Sequence, residues 1–233
     1  LILMEDLFSK VLLNIGLRIL KISKVLKTFS IIEQRCVLWQ HKGNGPKKLK
    51  IDKKKFIYLI SPNKISGKFY QNLDKILVTG KVSFFQMRLK KYTLKQKISI
   101  GKKIKKICKK NSVKFLINDD PFLAKIINAD GCHLGQKDMD IIEARKIIPN
   151  KIIGITCHNS LKLAKIALKN KANYLAFGAF FSTKTKKVKY KARIKILNEV
   201  KKITKAPLVA IGGINHINYK KLLLNNSDLL AMS

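Results

Sequence analysis

The feature that most constrains the fold is a regular alternation of short apolar runs and amphipathic segments, from Phe56 to the last residue. Each apolar run has the length of a buried strand, and each intervening segment has the apolar spacing of a helix that packs on one face. The predicted strands are residues 56–60, 82–88, 114–118, 131–135, 152–156, 174–178, 208–213 and 229–233. The predicted helices are residues 69–78, 94–110, 121–128, 141–148, 161–170, 194–203 and 219–224. Eight strands separated by helices predict an α/β fold of the (β/α)8 TIM-barrel class rather than an open sheet.

The two ends of the chain depart from this alternation. The sequence stops with the eighth strand, so we expect a barrel that lacks its last helix. Residues 1–55 are expected to form a basic extension and linker, disordered or loosely helical, ahead of a catalytic domain at 56–233. The extension has the pattern of a basic amphipathic helix, and its longest uncharged run is far too short to span a bilayer. Membrane-surface binding of this extension is the alternative to disorder.

The charge and the cysteines of the chain bear on its partners and its location. The 233 residues include 50 Lys and Arg against 13 Asp and Glu, a net charge of +37 that is typical of nucleic-acid or membrane binders. However, only five of the basic residues are Arg, and the lysines occur in every predicted helix. This distribution indicates a solvated basic surface and no specific nucleic-acid partner. Four cysteines without a CxxC spacing or a secretory segment predict reduced thiols and a cytoplasmic protein.

Carboxylates are scarce in this chain, yet six of them crowd into one short segment. They are Asp119, Asp120, Asp130, Asp138, Asp140 and Glu143. Asp119 and Asp138 follow the third and fourth predicted strands, and the carboxyl ends of parallel strands meet at one rim. Two carboxylates that leave positions for waters and phosphate oxygens are the usual ligands of Mg²⁺, so the pair predicts a magnesium site. In the alternative interpretation the acids only begin helices, a role for which Asp120 and Asp140 are well placed.

Polar residues that follow other strands predict an anion site at the same rim. Gln86, Arg88 and Lys90 recur with a period of two, which turns them towards the barrel mouth; the planar guanidinium of Arg88 suits an oxyanion. The alternative is a core Gln and Arg paired to neighbouring strands. After the sixth strand, the loop 182–186 offers hydroxyl and ammonium groups to a phosphate, although it also has the composition of a soluble loop. The glycine pair 212–213 after the seventh strand would let backbone N–H groups approach a phosphate, or simply form a tight turn.

Six motifs, in this order and spacing, closely resemble those of the thiamine phosphate synthase family: QMRLK, LINDD, ADGCHLGQKD, GITCH, FGAFFSTKTK and VAIGGI. The resemblance covers nearly the whole barrel, from Phe56 to Ser233. It implies a transferase that joins a pyrimidine methyl diphosphate to a thiazole phosphate, giving thiamine phosphate and pyrophosphate with Mg²⁺ as cofactor. It also implies that diphosphate leaves first and that the thiazole nitrogen captures the resulting pyrimidine-stabilised cation, so that no general base is needed.

The resemblance implies a role for each motif residue. Asp119 and Asp138 would hold Mg²⁺, while Arg88, Lys90 and Lys186 would act in catalysis by neutralising the leaving diphosphate. The residues implied in substrate binding are Gln86, Arg88, Lys90, Asn118, Thr156, Thr183, Thr185, Lys186, Gly213 and Ser233. In this sequence Thr156 replaces the usual serine. Three further departures from the family pattern are a last strand about one residue short, the absence of the eighth helix and a GAFF segment without its proline.

Two other functions remain open at this point. A thiazole tautomerase-like relative would bind a similar thiazole phosphate without coupling, but it would have no use for a site that holds both a metal and a diphosphate. A non-catalytic basic barrel that binds nucleic acid or a membrane would lose its ligand steeply as the salt concentration rises. Pyrophosphate release separates coupling from tautomerisation, and Mg²⁺ dependence separates an active site from a basic surface.

Overall fold

The computed structural model describes residues 49–182 and 190–233. In these ranges eight parallel strands close into a barrel, in which each strand pairs with the next one in the chain and β8 pairs with β1. The strands are β1 (Ile57–Ile60), β2 (Val82–Met87), β3 (Lys114–Asn118), β4 (Gly131–Leu134), β5 (Ile152–His158), β6 (Tyr174–Gly178), β7 (Leu208–Ile211) and β8 (Leu229–Met232). The helices between them are α1 (Phe69–Leu77), α2 (Leu94–Lys110), α3 (Pro121–Ile127), α4 (Ile141–Ile147), α5 (Leu161–Lys169), α6 (Lys195–Lys201) and α7 (Tyr219–Leu223). The expected TIM-barrel class is confirmed.

Two strand ends, those of β5 and β7, differ by two residues from the sequence-based boundaries, and the other differences are of one residue. β5 continues past Thr156 to His158, because its pairing with β6 resumes after an irregularity at Cys157. β7 ends at Ile211, because Gly212 and Gly213 have φ angles of 98° and 64° that leave the extended conformation. Both differences lie at the carboxyl end of the barrel, where loops begin.

Short polar side chains begin several of the helices. The Asp120 carboxylate accepts a hydrogen bond from the Leu123 N–H at 2.9 Å at the start of α3. The Asp140 carboxylate accepts one from the Ile142 N–H at 2.7 Å at the start of α4. Such caps satisfy backbone donors that have no partner within the helix. Two of the six clustered acids therefore have the helix-starting role that was their alternative interpretation.

The core has two layers, because successive side chains of a strand point to opposite faces. An outer cluster fills the space between strands and helices, and it includes Phe69, Phe85 and Phe115. An inner cluster fills the barrel and includes Tyr58, Phe84, Leu116, Tyr174 and Val209. The polar side chains described below extend from this inner layer to the carboxyl-end rim.

A polar side chain stands immediately before each of β4, β6 and β8, at the amino end of the barrel. Each of these side chains accepts a hydrogen bond from the backbone of the preceding strand. The acceptor is Asp130 for the Phe115 N–H at 2.9 Å, Asn173 for the Ile153 N–H at 2.8 Å, and Asp228 for the Leu208 N–H at 2.7 Å. These bonds tie β3 to β4, β5 to β6 and β7 to β8. We refer to Asp130, Asn173 and Asp228 as the strand-pair clamps.

The start of the described chain lies against the barrel. Leu49 and Ile51 pack on the inner cluster, so contact with the barrel begins before the predicted boundary at Phe56. Residues 1–48, most of the predicted extension, lie outside the described residues. Among the described helices, none is both long and apolar enough to cross a membrane.

Candidate active site

Two aspartates stand at the carboxyl-end rim, both held by the backbone of the β4 region. Asp119 follows β3 directly with a φ angle of 65°, and its N–H donates to the His133 carbonyl oxygen at 2.9 Å. The Asp138 carboxylate accepts a hydrogen bond from the Gly135 N–H at 2.6 Å in the turn after β4. The structure therefore brings to one rim the two carboxylates that the sequence predicts there.

The side chains of Asp119 and Asp138 interact directly. Burial raises the pKa of Asp119 to about 6, and a hydrogen bond and charge repulsion from Asp138 act in the same direction. Lys90 and Arg88 oppose this change, which places both cationic groups close to the Asp119 carboxyl. A pair of carboxylates that repel each other in a partly buried site is stabilised by any cation that binds between them.

The residues at this rim fit Mg²⁺ better than a metal that needs a closed cage. Within 49–182 and 190–233, no group of three or more His, Cys, Asp or Glu side chains is placed to hold a metal ion. The carboxylates of Asp119 and Asp138 are the two ligands predicted at this rim. Mg²⁺ commonly binds in this way, with waters and substrate phosphates completing its shell.

The cationic side chains that follow β2 come from the face that the alternation predicts. Phe85 and Met87 pack in the outer cluster, so Arg88 is turned the other way. The Arg88 N–H donates to Ser61 Oγ at 2.8 Å, and its Nη1 donates to Asn63 Oδ1 at 3.3 Å in the loop after β1. The first bond holds the backbone at Arg88, and the second orients its guanidinium at the rim. The exposed side chain of Lys90 has more freedom.

Gln86 lies inside the barrel and is only 3% exposed. Its Oε1 accepts a hydrogen bond from the Tyr58 hydroxyl at 2.7 Å, and its Nε2 donates to Asn118 Oδ1. The pairing of Gln86 with the neighbouring strands β1 and β3 is the alternative that the sequence left open. A role of Gln86 and Asn118 in substrate binding stays a prediction.

Sequence reasoning missed three polar side chains that lie between these predicted residues. The Tyr174 hydroxyl is 2.8 Å from the Tyr58 hydroxyl and 2.8 Å from His133 Nδ1. His133 Nε2 is 2.8 Å from Thr156 Oγ1. Burial raises the pKa values of Tyr58 and Tyr174 well above the ordinary range, and it lowers that of His133 to about 4 despite the opposing charge of Asp138. All three side chains are therefore neutral at physiological pH.

A signal for this interior group was present in the sequence. Tyrosine in a buried strand has a hydroxyl that needs a partner, and both Tyr58 and Tyr174 occupy such strands. Gly154 on β5 gives a second signal, because a Cβ atom there would overlap the Tyr174 ring. Cys132, next to His133, packs in the outer cluster, because neighbouring residues of a strand point to opposite faces.

The loops after β6 and β7 touch each other at the same rim. A Cβ atom on Gly213 would overlap the Ser182 carbonyl oxygen, and the Phe181 N–H donates to the Gly212 carbonyl oxygen at 3.0 Å. Asn218 Nδ2 donates to the Gly213 carbonyl oxygen at 2.9 Å, which fixes the turn. The predicted phosphate contacts Thr183, Thr185 and Lys186 lie outside the described residues. Ser233 follows β8 at this end of the barrel and is exposed.

Comparisons with known proteins show the family to which this chain is similar. Residues 57–233 match the family described as thiamine monophosphate synthase. The thiamine-phosphate synthase of Pelagibacter ubique is 66% identical over 181 residues, which cover 77% of this chain and 87% of that protein. The thiamine-phosphate synthase of Erythrobacter litoralis is 38% identical over 182 residues, covering 76% and 85%. Among solved structures, thiamine phosphate pyrophosphorylase from Pyrococcus furiosus has a TM-score of 0.67 and 30% sequence identity, covering 77% of this chain and 85% of that one.

These matches extend over most of the chain and of the relatives. They confirm the family that the six motifs indicated, and with it the expectation of a transferase that acts on small molecules. The chain belongs to the thiamine monophosphate synthase family.

Proposed function

We propose that this chain couples 4-amino-2-methyl-5-(diphosphomethyl)pyrimidine with a thiazole phosphate, giving thiamine phosphate and pyrophosphate. The observation that carries the proposal is the meeting of Asp119 and Asp138 at one rim, with Arg88 and Lys90 close enough to change the pKa of Asp119. Relatives that are 66% and 38% identical bear the name thiamine-phosphate synthase, which supports the same reaction here.

In the proposed coupling, the pyrimidine methylene carbon loses one bond and gains another, and no proton is transferred. The bond between the pyrimidine methylene carbon and the diphosphate oxygen breaks, and its electron pair leaves with the diphosphate. The lone pair of the thiazole nitrogen then forms the new carbon–nitrogen bond. A general base is not required, so the site acts by orienting two substrates and by neutralising charge on the leaving group.

The side chains at the rim suit both functions, orientation of the substrates and neutralisation of charge. Asp119 and Asp138 would hold Mg²⁺, whose positive charge neutralises a bound diphosphate. Arg88 offers several N–H donors in one plane, oriented by the bond from Nη1 to Asn63, and can bind two phosphate oxygens together. Lys90 adds a mobile point charge at the same rim.

We assign the thiazole phosphate to the adjoining loops after β6 and β7. Gly213 lets the two loops approach each other closely, which supports a role for its backbone in phosphate binding. The resemblance assigns Thr183 and Thr185 to the same phosphate, Lys186 to the diphosphate, and Ser233 to the end of β8. Thr156, Gln86 and Asn118 would complete the pocket for the pyrimidine.

The partners in this proposal are small molecules only. The high basic charge would raise the rate at which phosphorylated substrates are captured, without a specific nucleic-acid ligand. We place the reaction in the cytoplasm, in keeping with buried, unpaired cysteines among the described residues.

Pyrophosphate release tests the proposal. The full chain should release pyrophosphate only when both substrates and Mg²⁺ are present, and Asp119→Ala or Lys90→Ala should lower kcat/KM by about a hundredfold. Asp74→Ala and Lys91→Ala are the matched controls and should keep parental activity, because Asp74 pairs with Lys110 on the outer surface and Lys91 is the exposed neighbour of Lys90. Parental rates for both site variants would overturn the assignment. Tautomerisation of the thiazole without pyrophosphate release would select the tautomerase instead.

A further inference from the structure

An uninterrupted series of hydrogen bonds crosses the inside of the barrel from one part of the proposed pocket to the other. It joins side chains from six different strands, and three of them are not among the predicted substrate-binding residues. In order, the side chains are Asn118, Gln86, Tyr58, Tyr174, His133 and Thr156. Isolated buried hydroxyl and amide groups need one partner each, whereas here each of the four inner members is bonded to two neighbours.

The amide orientation of Gln86 decides which way the hydrogens point in the first half of the series. Gln86 Nε2 donates to Asn118 Oδ1, so Gln86 Oε1 faces Tyr58 and accepts its hydroxyl hydrogen. Tyr58 has only that one hydrogen, so its oxygen must accept the hydrogen of Tyr174. No freedom is left for either tyrosine hydroxyl.

The second half of the series follows from the first. Because the Tyr174 hydrogen points to Tyr58, its oxygen accepts from His133 Nδ1, which must carry the imidazole hydrogen. A neutral imidazole then has a bare Nε2, which accepts the hydroxyl hydrogen of Thr156. All the hydrogens therefore run in one direction, from Thr156 to Asn118.

We propose that Tyr58, Tyr174 and His133 are positioning residues that fix the hydrogen-bond polarity of the pocket for the pyrimidine ring. This inference rests on the proposed function. At one end, the amide nitrogens of Asn118 and Gln86 keep N–H groups that can donate to ring nitrogens. At the other end, Thr156 presents only lone pairs and binds a donor such as an amino group. The pocket thereby selects a heteroaromatic ring that carries acceptors on one edge and an amine on another.

The diphosphate is held by other groups, and this separation makes the inference testable. Arg88 and Lys90 would contact the anion, Asp119 and Asp138 would hold its Mg²⁺, and none of the four side chains takes part in the interior series. Tyr174→Phe removes the hydroxyl at the centre and should lower kcat/KM for the pyrimidine diphosphate at least about tenfold, the effect of one buried hydrogen bond. The dissociation constant of Mg²⁺-pyrophosphate, measured by calorimetry, should stay within about twofold of the parent.

Further variants separate a positioning role from a general loss of structure. Tyr219→Phe, a buried tyrosine on α7 outside the series, should leave both measurements near parental values. The double variant Tyr58→Phe with Tyr174→Phe should be no slower than the slower single variant, because either change interrupts the same series. His133→Asn, which keeps an N–H donor for Tyr174, should retain more activity than His133→Ala.

The outcomes distinguish this inference from the function on which it rests. If the parent neither binds Mg²⁺-pyrophosphate nor couples the substrates, the proposed function fails and the inference fails with it. If the parent is active and Tyr174→Phe matches it, the positioning role is refuted while the function stands. Equal weakening of pyrophosphate binding and of pyrimidine turnover, or additive effects of the two tyrosine changes, also refutes it.

Discussion

The Asp119 carboxyl makes a prediction about stability that can be tested before any substrate is available. Its pKa lies at about 6 in the folded chain against an ordinary value of 3.8, because burial and Asp138 disfavour the charged form. A group that binds its proton more tightly in the folded state stabilises the fold fully below the unfolded pKa and loses that contribution as the pH rises through the folded pKa. The metal-free protein should therefore lose stability between about pH 4 and pH 6.

Replacing Asp119 by Asn removes this loss. Asparagine has the same shape, and it tolerates the positive φ angle of 65° at this position. The pKa difference corresponds to about 3 kcal/mol, and solvent screening of the partly exposed side chain reduces this to about 1–2 kcal/mol. In the absence of Mg²⁺, Asp119→Asn should thus unfold at a higher urea concentration than the parent at about pH 8, but not at about pH 4.

The assay is urea unfolding at both pH values, with EDTA or with Mg²⁺. Mg²⁺ should stabilise the parent and have little effect on Asp119→Asn, because the variant lacks one of the two carboxylates. Asp74→Asn is the matched control with the opposite sign: hydrogen bonds from Lys110 and Asn111 lower the pKa of Asp74, so its removal should cost stability at the higher pH. A less stable Asp119→Asn at the higher pH, or equal stabilisation of both proteins by Mg²⁺, would refute the reasoning.

Two further variants test the scaffold and the loops. Arg145→Lys should lower the free energy of unfolding by about 2–4 kcal/mol in urea titrations, because one ammonium cannot replace a guanidinium that donates to three backbone carbonyls and to Asn173. Unchanged stability would show that these four bonds are not coupled. Gly213→Ala should raise KM for the thiazole phosphate about tenfold in steady-state kinetics, because the new Cβ atom forces the loop away from Ser182. An equal rise in KM for the pyrimidine diphosphate would contradict the assignment of that loop.

The strand pattern and the Asp119–Asp138 pair could be predicted because both follow from local periodicity. Alternating apolar runs gave the strands, and the common rim of parallel strands brought the two acids together. The end of β7 could not be placed in the same way, because LVAIGG continues the strand pattern, and only the positive φ angles of the two glycines end it.

The interior hydrogen bonds were beyond sequence reasoning for a different reason. Tyr58 and Tyr174 are separated by more than a hundred residues, and each alone has the features of an ordinary core aromatic. The planar guanidinium of Arg88 could be linked to an oxyanion because Arg88 follows a strand at the rim. Arg145 has the same planar group and fixes two turns at the amino end of the barrel, but nothing near it in the sequence shows which carbonyls it would meet.

The strand-pair clamps have a consequence for how this barrel can be divided. Asp130, Asn173 and Asp228 each accept a hydrogen bond from the preceding strand. The links therefore fall within the strand pairs β3–β4, β5–β6 and β7–β8, and not between one pair and the next. Opening the chain between β4 and β5, or between β6 and β7, leaves every clamp joined to its partner within one fragment. Opening it within a strand pair separates a clamp from its donor. We therefore expect fragments to reassemble, and circular permutants to keep their fold, when the chain is opened between two strand pairs.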